Sequence, residues 1–359
     1  MTDGHDTEST NPASGVPVGI DAEPVAAWLV DNIDGAKAPF RFELITGGHS
    51  NLTYRVVGDD GTAYVLRRPP LGSVLATAHD MAREHKIISG INLTTVPVPA
   101  ALGLCQDDAV NGAPFYVMAY VDGAVVHDGE IAEAELPSPD TRATLSRSVI
   151  DVLADLHTVD PAQVGLGDLG RTEAYLDRQL KRWRLQWENS KTRELPDMEA
   201  AFEALTEAKP PQRYTGVVHG DYRLGNMLTD TTAGSVAAVL DWELCTLGDV
   251  LADVGYLANN WLQPGEESPR GATSYPTMIG GFWTREQMLD RYAERTGFEV
   301  ANVDYYRAFQ YWRLAAIVEG VMARYLKGVM ADETVDTDEY RVQIDMMAAE
   351  GLRLVRSLG

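Results

Sequence analysis

Two hydrophobic periodicities divide this 359-residue chain, and they divide it unequally. Short alternating runs of β type are confined to the first third: Phe40 to Ile45, Leu52 to Val57, Ala63 to Leu66, Ala101 to Leu104 and Pro114 to Val121. From Asp140 onward the apolar positions recur at helical spacing over 141–157, 172–190, 197–208, 249–261, 284–296, 303–327 and 335–357. Only short strands, near 215–218, 227–229 and 236–240, interrupt those helices. A β-rich beginning with an α-rich remainder predicts an α+β chain of two lobes with a cleft between them, a favoured place for a ligand.

The boundaries follow from local signals. Met1 to Ile20 is rich in Ser, Thr, Asp, Gly and Pro without periodicity, so a disordered tail is expected over 1–20. Asp21 is an N-cap candidate ahead of Val25, Trp28, Leu29 and Ile33. Gly47-Gly48 and Asp59-Asp60-Gly61 break the early strands, and Thr77 to Ile88 is an inserted helix. The first lobe is expected to span 21–121 and the helical lobe 122–359. Between Asp122 and Asp140 six acidic residues occur without Lys or Arg, which suggests a solvated loop at the junction.

Thirty basic residues against 53 acidic ones give a formal charge of −23, a field that opposes nucleic acid and anionic membranes and attracts cationic solutes. Cys105 and Cys245 are far apart and form no paired motif, so neither a disulfide framework nor a structural zinc site is indicated. The first twenty residues lack Lys, Arg and any apolar run, and no later stretch reaches the length of a membrane span. The expectation is a soluble cytoplasmic protein with no nucleic-acid or membrane partner and an open oligomeric state.

The chemistry concentrates in His219-Gly220-Asp221-Tyr222-Arg223-Leu224-Gly225-Asn226, delivered by Val217-Val218 and carried away by Met227-Leu228. Fifteen positions later Asp241 stands at a strand end, in Val-Leu-Asp-Trp-Glu. Asp, Asn and Asp in this order suit phosphoryl transfer: Asp221 for the acceptor hydroxyl proton, Asn226 and Asp241 as oxygen ligands of Mg²⁺. His219 reads as a structural member of the loop. Asp249 is either a helix-start acid or a group that holds the loop by hydrogen bonds.

Earlier segments supply what a nucleotide needs. The Gly47–Tyr54 turn between strands lets backbone N–H groups approach phosphate, with Gly48, Ser50 and Asn51 the contact candidates. Arg67 is the cation expected on the phosphates and Glu84 the carboxylate that orients it, while Arg68 abuts Pro69 and reads as the last strand residue. Pro114 to Gly123 is placed as a hinge, with backbone groups of Ala119 and Val121 on the adenine edge. Nucleophile-elbow and His-Glu-x-x-His patterns are absent.

These segments together resemble the aminoglycoside phosphotransferase-like family, relatives of choline kinase and more distantly of protein kinases, over about residues 40–330. The most specific pieces are Val218 to Asn226, Leu240-Asp-Trp-Glu243, Leu247-Gly-Asp-Val-Leu-Ala-Asp253, Gly47 to Tyr54 and Leu153-Ala-Asp-Leu-His157. The resemblance implies a bilobal protein-kinase-like fold with a small β-rich N-lobe and a large helical C-lobe, ATP with Mg²⁺ as donor, and Asp221 as catalytic base. Arg67 departs from the family's usual Lys, and Ala119 from a frequent acid. The Leu66-Arg-Arg-Pro-Pro70 run looks like the branch of kinase-like domains fused to certain acyl-CoA dehydrogenases.

The expected activity is an ATP-dependent phosphotransfer to the hydroxyl of a small molecule. Net acidity favours an aminoglycoside-like acceptor. A basic helix with Lys181, Arg182, Arg184, Trp183 and Trp187 favours a hydroxyacyl thioester. Trp261, Tyr305, Tyr306, Tyr311 and Trp312 are candidates to line the acceptor pocket, or else core. The alternative is a catalytically silent nucleotide-binding module, motivated by Arg67.

Overall fold

The computed structural model describes residues 15–45, 51–71, 80–271, 274–328 and 336–358. The chain divides into two compact units, one formed by Met1–Asp122 with Ala238–Glu243, the other by Gly123–Ala237 with Leu244–Gly359. It is a mixed α/β chain with a small antiparallel sheet near its beginning and helices toward its end, the α+β class and bilobal kinase-like fold that the two periodicities and the resemblance predict.

In the first unit α1 (Ala22–Asn32) precedes β1 (Arg41–Leu44), β2 (Leu52–Val57) and β3 (Ala63–Arg68), followed by α2 (Met81–Ile91), β4 (Ala101–Cys105), α3 (Asp108–Asn111) and β5 (Phe115–Ala119). The five strands are antiparallel in the order β1-β2-β3-β5-β4. One sheet face buries Tyr54, Val56, Leu66, Phe115 and Val117 against Val25 and Leu29 of α1 and Ile33 at its end, which is why those positions alternate in the strands and recur every four residues along the helix. Each such aliphatic side chain, fully buried, contributes about 1.5–3 kcal/mol.

Residues 15–20, placed in the tail on composition, belong to the first unit. Residues 15–20 pack on the sheet: Tyr54 Oη donates to Val18 O at 2.6 Å, Arg68 donates to Gly19 O, and Ile20 joins the core. Asp21 uses no side chain as a cap; its backbone N–H goes instead to Asn111 Oδ1 at 2.9 Å. The segment 238–243 returns to this unit, with Val239 N–H on Pro97 O at 2.8 Å and Trp242 fully buried.

The second unit holds α4 (Gly129–Glu135), α5 (Pro139–Thr158), α6 (Tyr175–Ser190), α7 (Pro196–Glu207), β6 (Thr215–Val218), β7 (Met227–Asp230), most of β8 (Ser235–Val239), β9 (Thr246–Asp249), α8 (Leu251–Asn259), α9 (Arg285–Thr296), α10 (Val303–Leu326) and α11 (Thr337–Arg356). The acidic stretch after Asp122 is not all loop: Asp128 caps α4 by accepting Ile131 N–H at 2.8 Å, and Ala132 and Leu136 are buried. Helix α10 is the centre of the unit and buries residues on all its faces. Among the described residues no helix is long and apolar enough to cross a membrane.

The five aromatic candidates for the acceptor pocket belong to this core. Trp261, Tyr305, Tyr306, Tyr311 and Trp312 are each at most 5 % exposed. Four of their polar handles are satisfied inward: Tyr305 Oη on Leu205 O, Trp312 Nε1 on Met198 O, Trp261 Nε1 on Trp283 O and Tyr306 Oη on Asp249. The bonding handle lets such rings be buried without an orphaned polar atom.

Candidate active site

In the first unit the site is organised by one cation. Arg67 lies on β3 between Thr53 of β2 and Tyr116 of β5. Its Nε stands 3.2 Å from Glu84 Oε1, its Nη2 donates to Asp241 Oδ1 at 2.7 Å, and Glu243 Oε2 is 4.0 Å away. Glu84 is presented by the first turn of α2, whose start is fixed by Asp80 accepting Arg83 N–H at 2.9 Å. Burial pushes the Glu84 carboxyl up to about 7, against the opposing pull of Arg67. Burial also works against the Arg67 charge, yet Glu84 and Asp241 hold its pKa above the usual value.

Arg68, next in sequence, has a different environment. Only 6 % exposed, it turns into the interior and donates to the carbonyls of Gly19 and, at 3.1 Å, Asn111. Successive strand side chains point to opposite faces, so one arginine meets carboxylates and its neighbour meets backbone.

Asp241 has a left-handed backbone, φ 64°, shared among the described non-glycine residues only with Ala174. Asp tolerates this region better than most residues, and such conformations collect at functional positions. Asn51 donates to Glu243 Oε2 at 3.4 Å and is buried. Gly48 and Ser50 lie outside the described residues. At the expected hinge the Ala119 N–H already goes to Ala100 O at 2.8 Å, so the carbonyl is the backbone group of Ala119 left to consider for adenine. Val121 is half-buried just beyond β5.

In the second unit the loop 219–226 hangs between β6 and β7. Strand β6 pairs antiparallel with β9, Val218 opposite Thr246. Gly220 turns with φ 89°, and a Cβ there would lie 2.9 Å from Leu244 Cβ, so only glycine fits. Asp221 is fixed by Asn226, whose Nδ2 donates to Asp221 O at 2.9 Å and to Oδ2 at 2.7 Å. Both acceptors are oxygens, which settles the amide's orientation and leaves Oδ1 as the atom that could ligate a cation. Arg223 Nε is 3.4 Å from Asp221 Oδ1, and the Asp221 charge, second to burial, raises the pKa of the Tyr256 phenol.

The loop backbone is held from below. Asp253, in the first turn of α8 and fully buried, accepts His219 N–H at 2.6 Å and Gly220 N–H at 2.8 Å. Burial raises the Asp253 carboxyl, but His157 and the loop donors outweigh it and the pKa is lowered. Burial lowers the pKa of His157 despite Asp253. The neutral ring then carries its proton on Nε2, 3.3 Å from Asp253 Oδ2, and accepts the Tyr292 hydroxyl on Nδ1 at 2.6 Å. His219 is buried, its Nδ1 accepting Asp221 N–H at 3.2 Å, a loop-shaping role.

Asp249 does not hold the loop. It ends β9, accepts Leu251 N–H at 3.2 Å and takes the Tyr306 hydroxyl at 2.6 Å. The roles that sequence reasoning left unassigned are those of Asp253 as anchor, His157 behind it and Glu243 beside Arg67, although all three lie in quoted motifs. An acid in the first turn of a helix looks like a dipole complement, and nothing local marks Asp253 as buried.

In the basic segment 171–193, which contains α6, several cations are paired within the fold. Arg184 meets Glu188 and Glu199, Lys191 lies 3.4 Å from both Glu188 and Glu194, and Arg193 pairs with Asp345, while Lys181 and Arg182 are exposed. Among the described residues no three His, Cys, Asp or Glu side chains gather as a metal cage.

Residues 41–275 match the phosphotransferase enzyme family. Acyl-CoA dehydrogenase family member 10 of Mus musculus is 33 % identical over 327 residues, covering 87 % of this chain and 30 % of that protein. The chain spans less than half the length of the curated relatives it matches. A solved structure from Ralstonia eutropha, described as a candidate aminoglycoside phosphotransferase, superposes with a TM-score of 0.80 at 32 % identity, covering 94 % of this chain and 98 % of that one. An amicoumacin kinase solved with AMP-PNP, Ca²⁺ and Ami shares the fold, TM-score 0.57 at 16 % identity over 93 % of each chain. With its family match over most of its length, its sheet-then-helix architecture and these relatives, the chain belongs to the phosphotransferase enzyme family, in the branch carried by acyl-CoA dehydrogenase family members 10 and 11.

Proposed function

We propose that this protein transfers the terminal phosphoryl group of ATP, with Mg²⁺, to a hydroxyl of a small molecule. The observation that carries this reading is the double hydrogen bond from Asn226 to Asp221, which fixes a part-exposed carboxylate and leaves an amide oxygen beside it. Asp221 is the residue assigned to the acceptor hydroxyl: it orients the oxygen and receives its proton. The loose transition state of phosphoryl transfer needs little prior deprotonation, so alignment is the main demand on that carboxylate. When bound, MgATP supplies a phosphoryl group whose bond to the ADP oxygen breaks as the bond to the acceptor oxygen forms.

Asn226 Oδ1 and the Asp241 carboxylate are the oxygens assigned to the ion. Arg67, oriented by Glu84, is assigned to the nucleotide phosphates, with Asn51, Gly48 and Ser50 as further phosphate contacts and the Ala119 and Val121 backbone as adenine contacts. The cytoplasm is the proposed compartment. The test is a product screen by mass over hydroxyl compounds, both aminoglycosides and hydroxyacyl thioesters, seeking the gain of one phosphoryl group. Asp221→Asn should abolish it while leaving ATP binding within threefold.

One observation favours a second reading. Arg67 ties up Asp241, the carboxylate assigned to the ion, at 2.7 Å. A nucleotide-binding module without turnover would show ATP binding by calorimetry and no phosphorylated product in that screen.

A further inference from the structure

The loop that carries Asp221 contains a soft joint. Gly220 has φ 89°, one of several regions open to a residue without a Cβ, so its own chemistry does not fix where the next side chain points. Asp253 holds the peptide before it, through the Gly220 N–H at 2.8 Å. The peptide after it, which joins Gly220 to Asp221, is met by Arg313 of α10, whose Nη1 donates to Gly220 O at 3.4 Å. At the other end of that same peptide the Asp221 N–H goes to His219 Nδ1 at 3.2 Å. We propose that Arg313 is a positioning residue, which sets the 220–221 peptide and through it the direction of the Asp221 carboxylate; the proposal rests on the phosphotransfer reading of Asp221.

The environment of the guanidinium is the reason. Arg313 is 9 % exposed, and among the described residues no carboxylate pairs with it. Burying a charge without a counter-charge is costly. The offsets are Gln310 Oε1 at 2.9 Å, the Gly220 carbonyl and the ring of Trp183, whose centroid lies 5.2 Å from the guanidinium carbon. Nε remains buried without a partner. Arg68 and Arg142 are also buried on backbone carbonyls, yet neither leaves a buried nitrogen unpartnered. A side chain kept where its own bonding is incomplete is explained by what it does for its neighbour, here the Gly220 carbonyl.

The support behind it is rigid. Gln310, one turn earlier on α10, donates its Nε2 to Ala252 O at 2.9 Å, beside Asp253. One helix thus fixes the cation and, through Gln310, the first turn of the helix that supplies the carboxylate anchor. Asp253 stands on the N–H side of Gly220 and Arg313 on the carbonyl side, so opposite charges grip the joint from both directions. A cation on the carbonyl also polarises the peptide and strengthens the Asp221 N–H as a donor to His219. The direction of the carboxylate matters because a misplacement of about 1 Å can cost on the order of a hundredfold in rate.

The experiment uses the full chain, with MgATP as the only added substrate and water as acceptor, and compares Arg313→Met and Arg313→Lys with wild type. ATP turnover gives kcat and KM, urea curves give the folded fraction, and amide exchange is read without nucleotide over 219–226 and along α10. Arg313→Met should lower kcat per folded molecule about tenfold or more and keep KM for ATP within about twofold. Exchange at Asp221 should accelerate more than exchange along α10. Arg313→Lys should fall between the two, since it keeps the charge and loses the planar fork, and it carries the comparison if Arg313→Met does not fold. Unchanged kcat in a folded variant, a loss confined to KM, or exchange that rises equally in the loop and along α10 would overturn the proposal. The two readings separate through exchange. A wild type that binds ATP and never turns it over would sink the phosphotransfer reading, while faster exchange confined to the loop in Arg313→Met would keep the hold of Arg313 on the 220–221 peptide. Unchanged loop exchange would overturn that hold in either case.

Discussion

Asp253 takes the backbone N–H of Gly220 on its Oδ1 at 2.8 Å, from the first turn of a helix thirty-three residues further along the chain. With the His219 N–H on Oδ2, one buried carboxylate fixes the two peptide groups immediately before Asp221. Asp253→Asn can offer only one carbonyl oxygen and sets an NH₂ against the other donor. Leaving a buried donor unpaired costs about 1–3 kcal/mol, and loss of the charge-assisted bond adds to it. Urea unfolding should show a loss of roughly 3 kcal/mol, and hydrogen exchange at His219 and Gly220 should accelerate. A variant of unchanged stability and exchange would refute the anchoring role.

The two adjacent arginines should separate cleanly. Arg67→Met is expected to weaken ATP binding tenfold or more by calorimetry, since it removes a charged donor to phosphate. Arg68→Met should leave that affinity within twofold and lower stability by about 2–3 kcal/mol, because the Gly19 and Asn111 carbonyls lose their donor. The reverse pattern would exchange their roles.

Asp249 predicts a pH effect of definite sign. Burial pushes its carboxyl up to about 6 from an ordinary 3.8. Between those values the folded protein holds a proton that the unfolded chain has released, so stability falls as pH rises through the window and is flat above it. A shift of about two units corresponds to roughly 3 kcal/mol. Asp249→Asn keeps an acceptor for Tyr306 and should remove this slope between pH 4 and pH 6 in urea midpoints. A wild-type slope of opposite sign would contradict the assignment.

Gly220→Ala tests the turn that carries Asp221. A Cβ at φ 89° would stand 3.0 Å from the Leu244 carbonyl oxygen. The substitution should cost about 2 kcal/mol or more and reduce any phosphotransfer with it. Full stability in differential scanning calorimetry would show that the turn relaxes.

Where structure follows from neighbouring residues, the sequence was readable. Strand 215–218, the long helices and the Arg67–Glu84 pairing all rest on local periodicity or on a charge sign. Where structure follows from a distant partner, it was not. Asp249 reads as the start of a helix, yet it ends the strand β9, because the partner β6 lies some thirty residues earlier. Composition puts residues 18 and 19 in the tail, but Tyr54 and Arg68 supply donors that hold them. Tyr305 and Trp312 carry the same pattern whether they line a pocket or a core, and only the packing of α10 decides between them.

The six residues 238–243 belong to the first unit although the chain has left it at Asp122. During synthesis, therefore, the sheet that carries Arg67 waits for its last pieces, Asp241 and Trp242, until some 120 further residues have been made. At ribosomal rates of about 5–20 residues per second that delay is roughly 6–24 s. A nascent chain stopped at residue 122 would hold Arg67 and Glu84 without Asp241, so a fragment cut at that boundary is the wrong object for measuring nucleotide affinity.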